Sequence, residues 1–304
     1  MEGEEAPLHA RALGGPGSGT GELQSPCGVA VDGHGNIVVA DSGSHQVQVF
    51  RKEGGVVRAF GREGNGAGEL QRPWGVALDG AGNIIVVEFG NHRVQVFDEA
   101  GLVLLAFGRE GSGPGEMRNP RGVAVDGEGN IVVADRDNHQ VQVFDAAGKL
   151  LRAFGRQGRG AGELQYPCGV AVDGAGNIVV ADALNHRVQV FDVAGRVVRV
   201  FGRQGRDEGE LHCPYGVAVD GAGNIVVADG NNHRVQVFSK AGRVVRAFGR
   251  GGSGAGELLC PSGVAVDGAG NIIVADWGNH RVQVFDAAGL VEGTQTHGHT
   301  CRRL

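Results

Sequence analysis

The sequence predicts an all-β fold: a six-bladed β-propeller of four-stranded antiparallel blades, closed by an N-terminal strand. Three observations predict it. Pro26, Pro73, Pro120, Pro167, Pro214 and Pro261 recur every 47 residues, each followed by one variable residue and Gly-Val-Ala. Within each period, four short runs rich in Val, Ile and Phe alternate with Gly, Asn and Asp clusters, the pattern of strands joined by tight turns. No segment keeps apolar residues at helical spacing for the roughly ten positions that a helix needs.

The unit beginning at Pro167 shows each element in turn, with strands near 169–173, 177–181, 187–191 and 196–201. Such a unit cannot bury both faces alone, so equal units stack around an axis as blades. A solenoid is the rival arrangement, but β-helix repeats are far shorter than this period. The ends predict ring closure. Ala12-Leu13-Gly14 and Gly21-Glu22-Leu23 repeat the spacing of Ala247-Phe248-Gly249 and Gly256-Glu257-Leu258, so the chain begins with the fourth strand of a blade. The last repeat has lost that strand, with Glu292, Thr294 and Gln295 in its place. The N-terminal strand should therefore pair near 281–285 and remove a free sheet edge. The expected organisation is a disordered tail over 1–6, one propeller over 7–291 and a second disordered tail over 292–304.

Composition narrows the function classes. A formal net charge of −6 gives no global basic field to recruit nucleic acid, so that binding would need a local patch. The acidic start, Met1-Glu2-Gly3-Glu4-Glu5, is no secretory signal, and aliphatic runs such as Ile84-Ile85-Val86-Val87 are too short to cross a bilayer. Five cysteines without CxxC spacing read as reduced thiols of a cytoplasmic protein. A protein monomeric on its own, with no membrane association, is the expectation.

The residues carry a family resemblance. Gly-Val-Ala-Val-Asp, then a strand ending Ala-Asp, then Asn-His-Arg-Val-Gln-Val-Phe resembles the NHL repeat, and all six copies fit over about residues 7–291. Five copies keep Asn-His (Asn91-His92, Asn138-His139, Asn185-His186, Asn232-His233, Asn279-His280), and the first has Ser44-His45. The resemblance implies the propeller first, and then a protein- or RNA-binding module like that at the C-terminus of tripartite-motif ubiquitin ligases. The RING and B-box zinc motifs of those ligases are not found in this sequence, so a binding module alone is expected. The wider group includes a metal-dependent lyase, but no ligand set of that enzyme can be placed on residues here.

Candidate chemistry divides into repeated and unrepeated residues. His45, His92, His139, His186, His233 and His280 suggest a metal ring, yet third-strand equivalents should stand roughly 15 Å apart in a sixfold ring. Zinc ligands must converge to within about 2.0–2.3 Å of one ion, so each histidine is expected to satisfy a local turn instead. Asp32, Asp79, Asp126, Asp173, Asp220 and Asp267 precede Gly-x-Gly-Asn, but a calcium loop's bidentate Glu is missing, so these are hairpin turns. Asp41, Glu88, Asp135, Asp182, Asp229 and Asp276 stand five residues before Arg or Gln and are expected in turns or salt links. His212, Cys213, Cys260 and Cys27 lie beside the blade-opening prolines, where they would meet only if one mouth of the channel gathered them; free thiols are the expected state. No Gly-x-Ser-x-Gly, P-loop or His-Glu-x-x-His motif occurs, the Gly-rich links do not lead into helices, and neither metal nor cofactor is expected.

The unrepeated aromatics say more. Eleven of the twelve phenylalanines hold repeat positions; Phe89, Trp74, Trp277, Tyr166 and Tyr215 do not. All five fall in the link around Pro or in the turn before Asn-His, two connections that share one end of a meander. Gly-Ala-Gly-Asn and Ala-Ala-Gly, at the other end, hardly vary. Arg72, Trp74, Phe89, Arg118, Arg121 and Arg136 should form one continuous sector on the second and third blades, with Asn119 and Asp137 among them. Trp, Tyr and Arg are the residues of binding hot spots. The sequence thus points to a non-catalytic scaffold for a protein partner, with single-stranded RNA binding or adaptor work in ubiquitin ligation as alternatives and a lyase-like enzyme as the remote one.

Overall fold

A computed structural model of the chain describes residues 10–287. The expected tails, residues 7–9 and 288–291 and Cys301 lie outside them. Six four-stranded antiparallel sheets form the blades, each a simple meander from inner to outer strand except the last. Blade 4 comprises Pro167–Val172, Ile178–Asp182, Arg187–Phe191 and Val197–Phe201, within a residue or two of the boundaries read from sequence.

Closure follows the expected route. Ala10–Leu13 pairs antiparallel with Arg281–Phe285, from Ala10 opposite Phe285 to Leu13 opposite Val282. The first segment of the described chain is thereby the outer strand of blade 6, whose other three strands come from the end.

The hydrophobic core is a set of layers between blades. Val38, Ala40, Val47 and Val49 of blade 1 pack on Val76, Ile84, Val86 and Phe97 of blade 2, and the same set recurs at every junction, including that between blades 6 and 1. At five junctions a fourth-strand Phe stacks on the third-strand Phe of the next blade, as Phe60 does on Phe97 with centroids 4.9 Å apart. Leu13 takes the Phe position at the sixth and is buried against Phe50 in the same layer. These aromatic steps explain why the phenylalanines hold the 47-residue register.

Glycine sets the radius. A Cβ on Gly122 would meet the Cys168 carbonyl at 2.4 Å, and one on Gly263 would meet that of Cys27 at 2.4 Å. The inner strands thus touch backbone to backbone around the whole axis. This narrowness decides what the channel can hold.

Candidate binding site at the channel mouth

At the link end, polar groups tie each blade to the connection that precedes it. Asp182 is fully buried and accepts the Gln165 backbone N–H at 2.6 Å, Asn185 Nδ2 at 2.9 Å, Arg187 Nε at 2.7 Å and Gln189 Nε2 at 3.1 Å. Arg187 also donates to link carbonyls of Gly160 and Glu163. Glu88, Asp229 and Asp276 pair with Arg93, Arg234 and Arg281 in the same way. Blades 1 and 3 carry Gln46 and Gln140 instead of Arg, and there burial raises the Asp41 and Asp135 carboxyls above their ordinary range. These carboxylates hold structure together and are spent on it.

The histidines correct one expectation. Each sits in the left-handed region within its own turn, at φ of 53–56°. Its ring, however, bonds to the next blade. His139 Nδ1 accepts the Tyr166 N–H at 3.1 Å, His186 Nδ1 that of Cys213 at 3.1 Å, and His280 Nδ1 that of Ser25 at 3.0 Å, which closes the circle. The turn is local, but the bond is a clasp between blades. The sequence shows the 27-residue spacing without showing that the ring leans across it.

This clasp bears on metal binding. His186, His212 and Cys213 bring ligand atoms within 4.8 Å of one another, the one such group of three among the described residues. A neutral His186 that accepts at Nδ1 carries its proton on Nε2, so neither nitrogen has a free lone pair. Only two adjacent residues, His212 and Cys213, remain as donors, and burial pushes the Cys213 thiol up. The gathering of His212, Cys213, Cys260 and Cys27 at one mouth divides too. Cys27 lines the axis, Cys260 a neighbouring recess, and Cys213 joins His212 beneath the clasp.

The opposite end carries the expected turns. Asp126 Oδ1 accepts the Glu128 and Asn130 N–H groups at 2.9 Å each, while Oδ2 accepts Asn130 Nδ2 at 2.9 Å. The same Asx turn recurs in the other five copies. Both carboxylate oxygens are engaged in closing the turn.

The variable residues come together in two groups. In the first, Arg121 Cζ lies 3.9 Å from the Trp74 ring centroid and 5.6 Å from that of Phe89, with Trp74 and Phe89 themselves 5.9 Å apart. In the second, Arg136 Cζ lies 4.5 Å from the Tyr166 centroid, Asp137 pairs with Arg136 and accepts Asn119 Nδ2 at 2.6 Å, and Tyr166 meets His139 edge-on. Arg72 and Arg118 are exposed and make no ion pair among the described residues; their backbone N–H groups bond to His45 and Asp135.

The expected continuous sector on blades 2 and 3 divides into these two groups, and the first of them reaches across the axis. Trp74 and Arg121 share a recess of about 230 Å³ with Tyr215, Cys260, Ser262 and Trp277 of blades 5 and 6. The cause lies in the inner strands. Each carries one extra residue after its Pro; in blade 3, Arg121 and Gly122 together oppose Ala134, the former donating to its carbonyl and the latter accepting from its N–H. A bulge of this kind re-aims a side chain. Here it turns the residue after Pro toward the axis, so Cys27, Trp74, Arg121, Cys168, Tyr215 and Ser262 line one pocket of about 60 Å³. Of these, Cys27 was expected only as a thiol near the mouth, and Cys168 and Ser262 were not singled out by the sequence at all. The signal was there, since this is the one variable position within Pro-x-Gly-Val-Ala. Trp277, in a short 3-10 turn at Trp277–Asn279, is the most exposed of the aromatics, at 41%.

Fold and mouth together define a closed propeller with a uniform end and an individualised end around a narrow axis. The NHL repeat profile matches residues 23–50, 70–97, 117–144, 164–191, 211–238 and 258–285, more than half of the chain, and the protein belongs to the NHL-repeat family. Among curated proteins, B-box type zinc finger protein ncl-1 of Caenorhabditis elegans is 59% identical over 34 residues, which is 11% of this chain and 4% of that protein. The chain thus aligns with only a small fraction of that relative. Among solved structures, a Bacteroides thetaiotaomicron protein of unknown function superposes with a TM-score of 0.70 at 17% identity, over 91% of this chain and 75% of the other. Virginiamycin B lyase of Staphylococcus aureus superposes with a TM-score of 0.63 at 11% identity, over 92% and 89%. At these identities the likeness extends to the fold. No helix among the described residues is long and apolar enough to cross a membrane.

Proposed function

We propose that this propeller is a non-catalytic platform that binds a protein partner through its link end, centred on the channel mouth. One observation carries the reading. Six copies of one unit keep the same turns at one end, while the other end gathers Trp74, Arg121, Tyr215 and Trp277 around a single recess. Partly exposed Trp, Tyr and Arg in a recess are the composition of an interface hot spot. The repeated carboxylates and histidines are bonded into the frame, so they are not poised for acid–base work. A cytoplasmic, monomeric module accords with this reading, and the short match to a B-box type zinc finger protein makes an adaptor for ubiquitin ligation one form of it.

Single-stranded RNA is the second reading, favoured by exposed Arg72 and Arg118 at the same end of the disc as the variable aromatics. Affinity capture with wild type and the Trp74→Ala variant, each with and without RNase, tests both. A protein partner lost with Trp74→Ala but kept after RNase supports the first. Capture that RNase abolishes, with a steep salt dependence, supports the second.

A further inference from the structure

Arg121 stands apart from the other arginines held at the link end. Arg93, Arg187, Arg234 and Arg281 each meet a fully buried carboxylate, and Arg136 meets Asp137. Arg121 meets none among the described residues. Its Nη1 lies 3.4 Å from Cys168 Sγ, its face covers Trp74, and its Nε is buried without a partner. The other five side chains on the axial pocket are two thiols, an indole, a phenol and a hydroxyl, with no carboxylate among them. Burial pushes the Cys27 thiol up to about 12 and raises the Tyr215 phenol, so neither supplies a counter-charge.

A half-buried guanidinium with an idle donor is costly unless an anion completes it. The space around it selects which anion. The axial pocket of about 60 Å³ shares Trp74, Arg121, Tyr215 and Ser262 with the recess of about 230 Å³, so a small anionic group can meet Arg121 at the axis while the residues that carry it lie in the recess. Across the axis, three blades away, stands Ser262, a small residue that leaves the space open and offers a hydroxyl. The positive charge is a single point at the axis. The rim gives no continuous cationic track, since Glu69, Glu116, Glu163, Glu210 and Glu257 recur between the arginines.

The geometry points to an acidic side chain of the protein partner, an Asp or Glu in an extended segment, entering the channel mouth to pair with Arg121 while Trp74, Tyr215 and Trp277 pack its flanking residues. This rests on the platform reading and sharpens it, since it names what the recess recognises. A carboxylate would take the guanidinium as a two-pronged donor, and Arg is suited to that fork where Lys is a point charge.

The test is a selection of randomised peptides on the full chain, with the Arg121→Gln variant as the counter-target. The peptides enriched on wild type should share an Asp or Glu at one position. Replacing that Glu by Gln should cost roughly thirtyfold in Kd on wild type and nearly nothing on Arg121→Gln, the pattern of a direct pair. Arg121→Lys, which keeps the charge, should retain part of the affinity, and thermal melting should show both variants folded. Peptides without a shared acid, no enrichment over Arg121→Gln, or a Glu-to-Gln cost equal on both proteins overturns the proposal. If such peptides still depend on Trp74, the platform reading survives its loss. If Trp74→Ala leaves every selected peptide bound, the platform reading falls as well. Oligouridylate binding that disappears with Arg121→Gln, without any acidic preference among peptides, would assign Arg121 to phosphate and also overturn it.

Discussion

The two ends of the disc are built from the same repeated unit, yet they obey different rules. At the turn end, Asp-Gly-x-Gly-Asn satisfies its own backbone within five residues, as Asp126 and Asn130 show. At the link end, the connection is satisfied by the blade that follows and clasped by a histidine of the blade before, as Tyr166 is by His139. The backbone there is held from both sides, by a histidine on one and a buried carboxylate on the other. The residues around the opening proline are therefore free to vary without loosening the link. Robust bonding of the frame is what permits individuality of the surface.

Removing the closing strand should have the largest effect. Deleting residues 1–14 strips blade 6 of its outer strand and Leu13 from the last layer. We expect a loss of about 3–5 kcal/mol, seen as a lowered melting temperature, with association through the exposed edge in light scattering. Melting like wild type, as a monomer, would show that another segment closes the ring.

Next is Gly122→Ala, which puts a methyl into the Cys168 carbonyl at the axis. Backbone cannot yield there as a flexible side chain would, so a cost of about 3 kcal/mol is expected in denaturant unfolding. Gly127→Ala, at the turn end, meets nothing within 4 Å and should be nearly silent. Equal effects would erase the distinction between axis and turn.

Binding comes third. Trp74→Ala and Arg121→Ala should each weaken capture of the main partner by roughly thirtyfold, about 2 kcal/mol, with little change in melting temperature. Glu128→Ala, on the turn end, should leave capture intact. The reverse pattern would move the working surface to the uniform end.

The histidine clasp should make stability depend on pH. Burial lowers the His139 and His186 pKa values below 6.5, with neighbouring His212 adding to the effect at His186. The unfolded chain therefore takes up these protons first as pH falls. The contribution should be complete above pH 6.5 and lost as pH drops through the folded values, because a protonated Nδ1 cannot accept. Each lost clasp should cost about 1 kcal/mol, and His186→Ala should flatten the slope between pH 7 and 5. A slope unchanged in that variant would mean the clasp carries no linkage.

Smallest of all should be the response to chelation. Dialysis against EDTA should leave melting and capture unchanged, since His186 spends its lone pair on Cys213 N–H. One equivalent of zinc by elemental analysis, lost with Cys213→Ser, would show that the clasp yields to metal.

Much of this molecule was set by sequence alone. The 47-residue period, the four apolar runs and the displaced Ala12-Leu13-Gly14 were enough to place the strands, count the blades and close the ring, because they depend on local propensity and on matching copies. The variable end was legible for the same reason, as the place where copies differ. Tertiary structure decided which of the variable residues meet. Trp74 and Tyr215 lie 141 residues apart and on opposite blades, yet they share one pocket, because close-packed glycines make the axis narrow and a bulge turns each inner side chain toward it. The histidines, read as local, reach across blades for a similar cause. Sequence spacing fixes what happens within a blade, but the radius of the ring determines who becomes a neighbour across it.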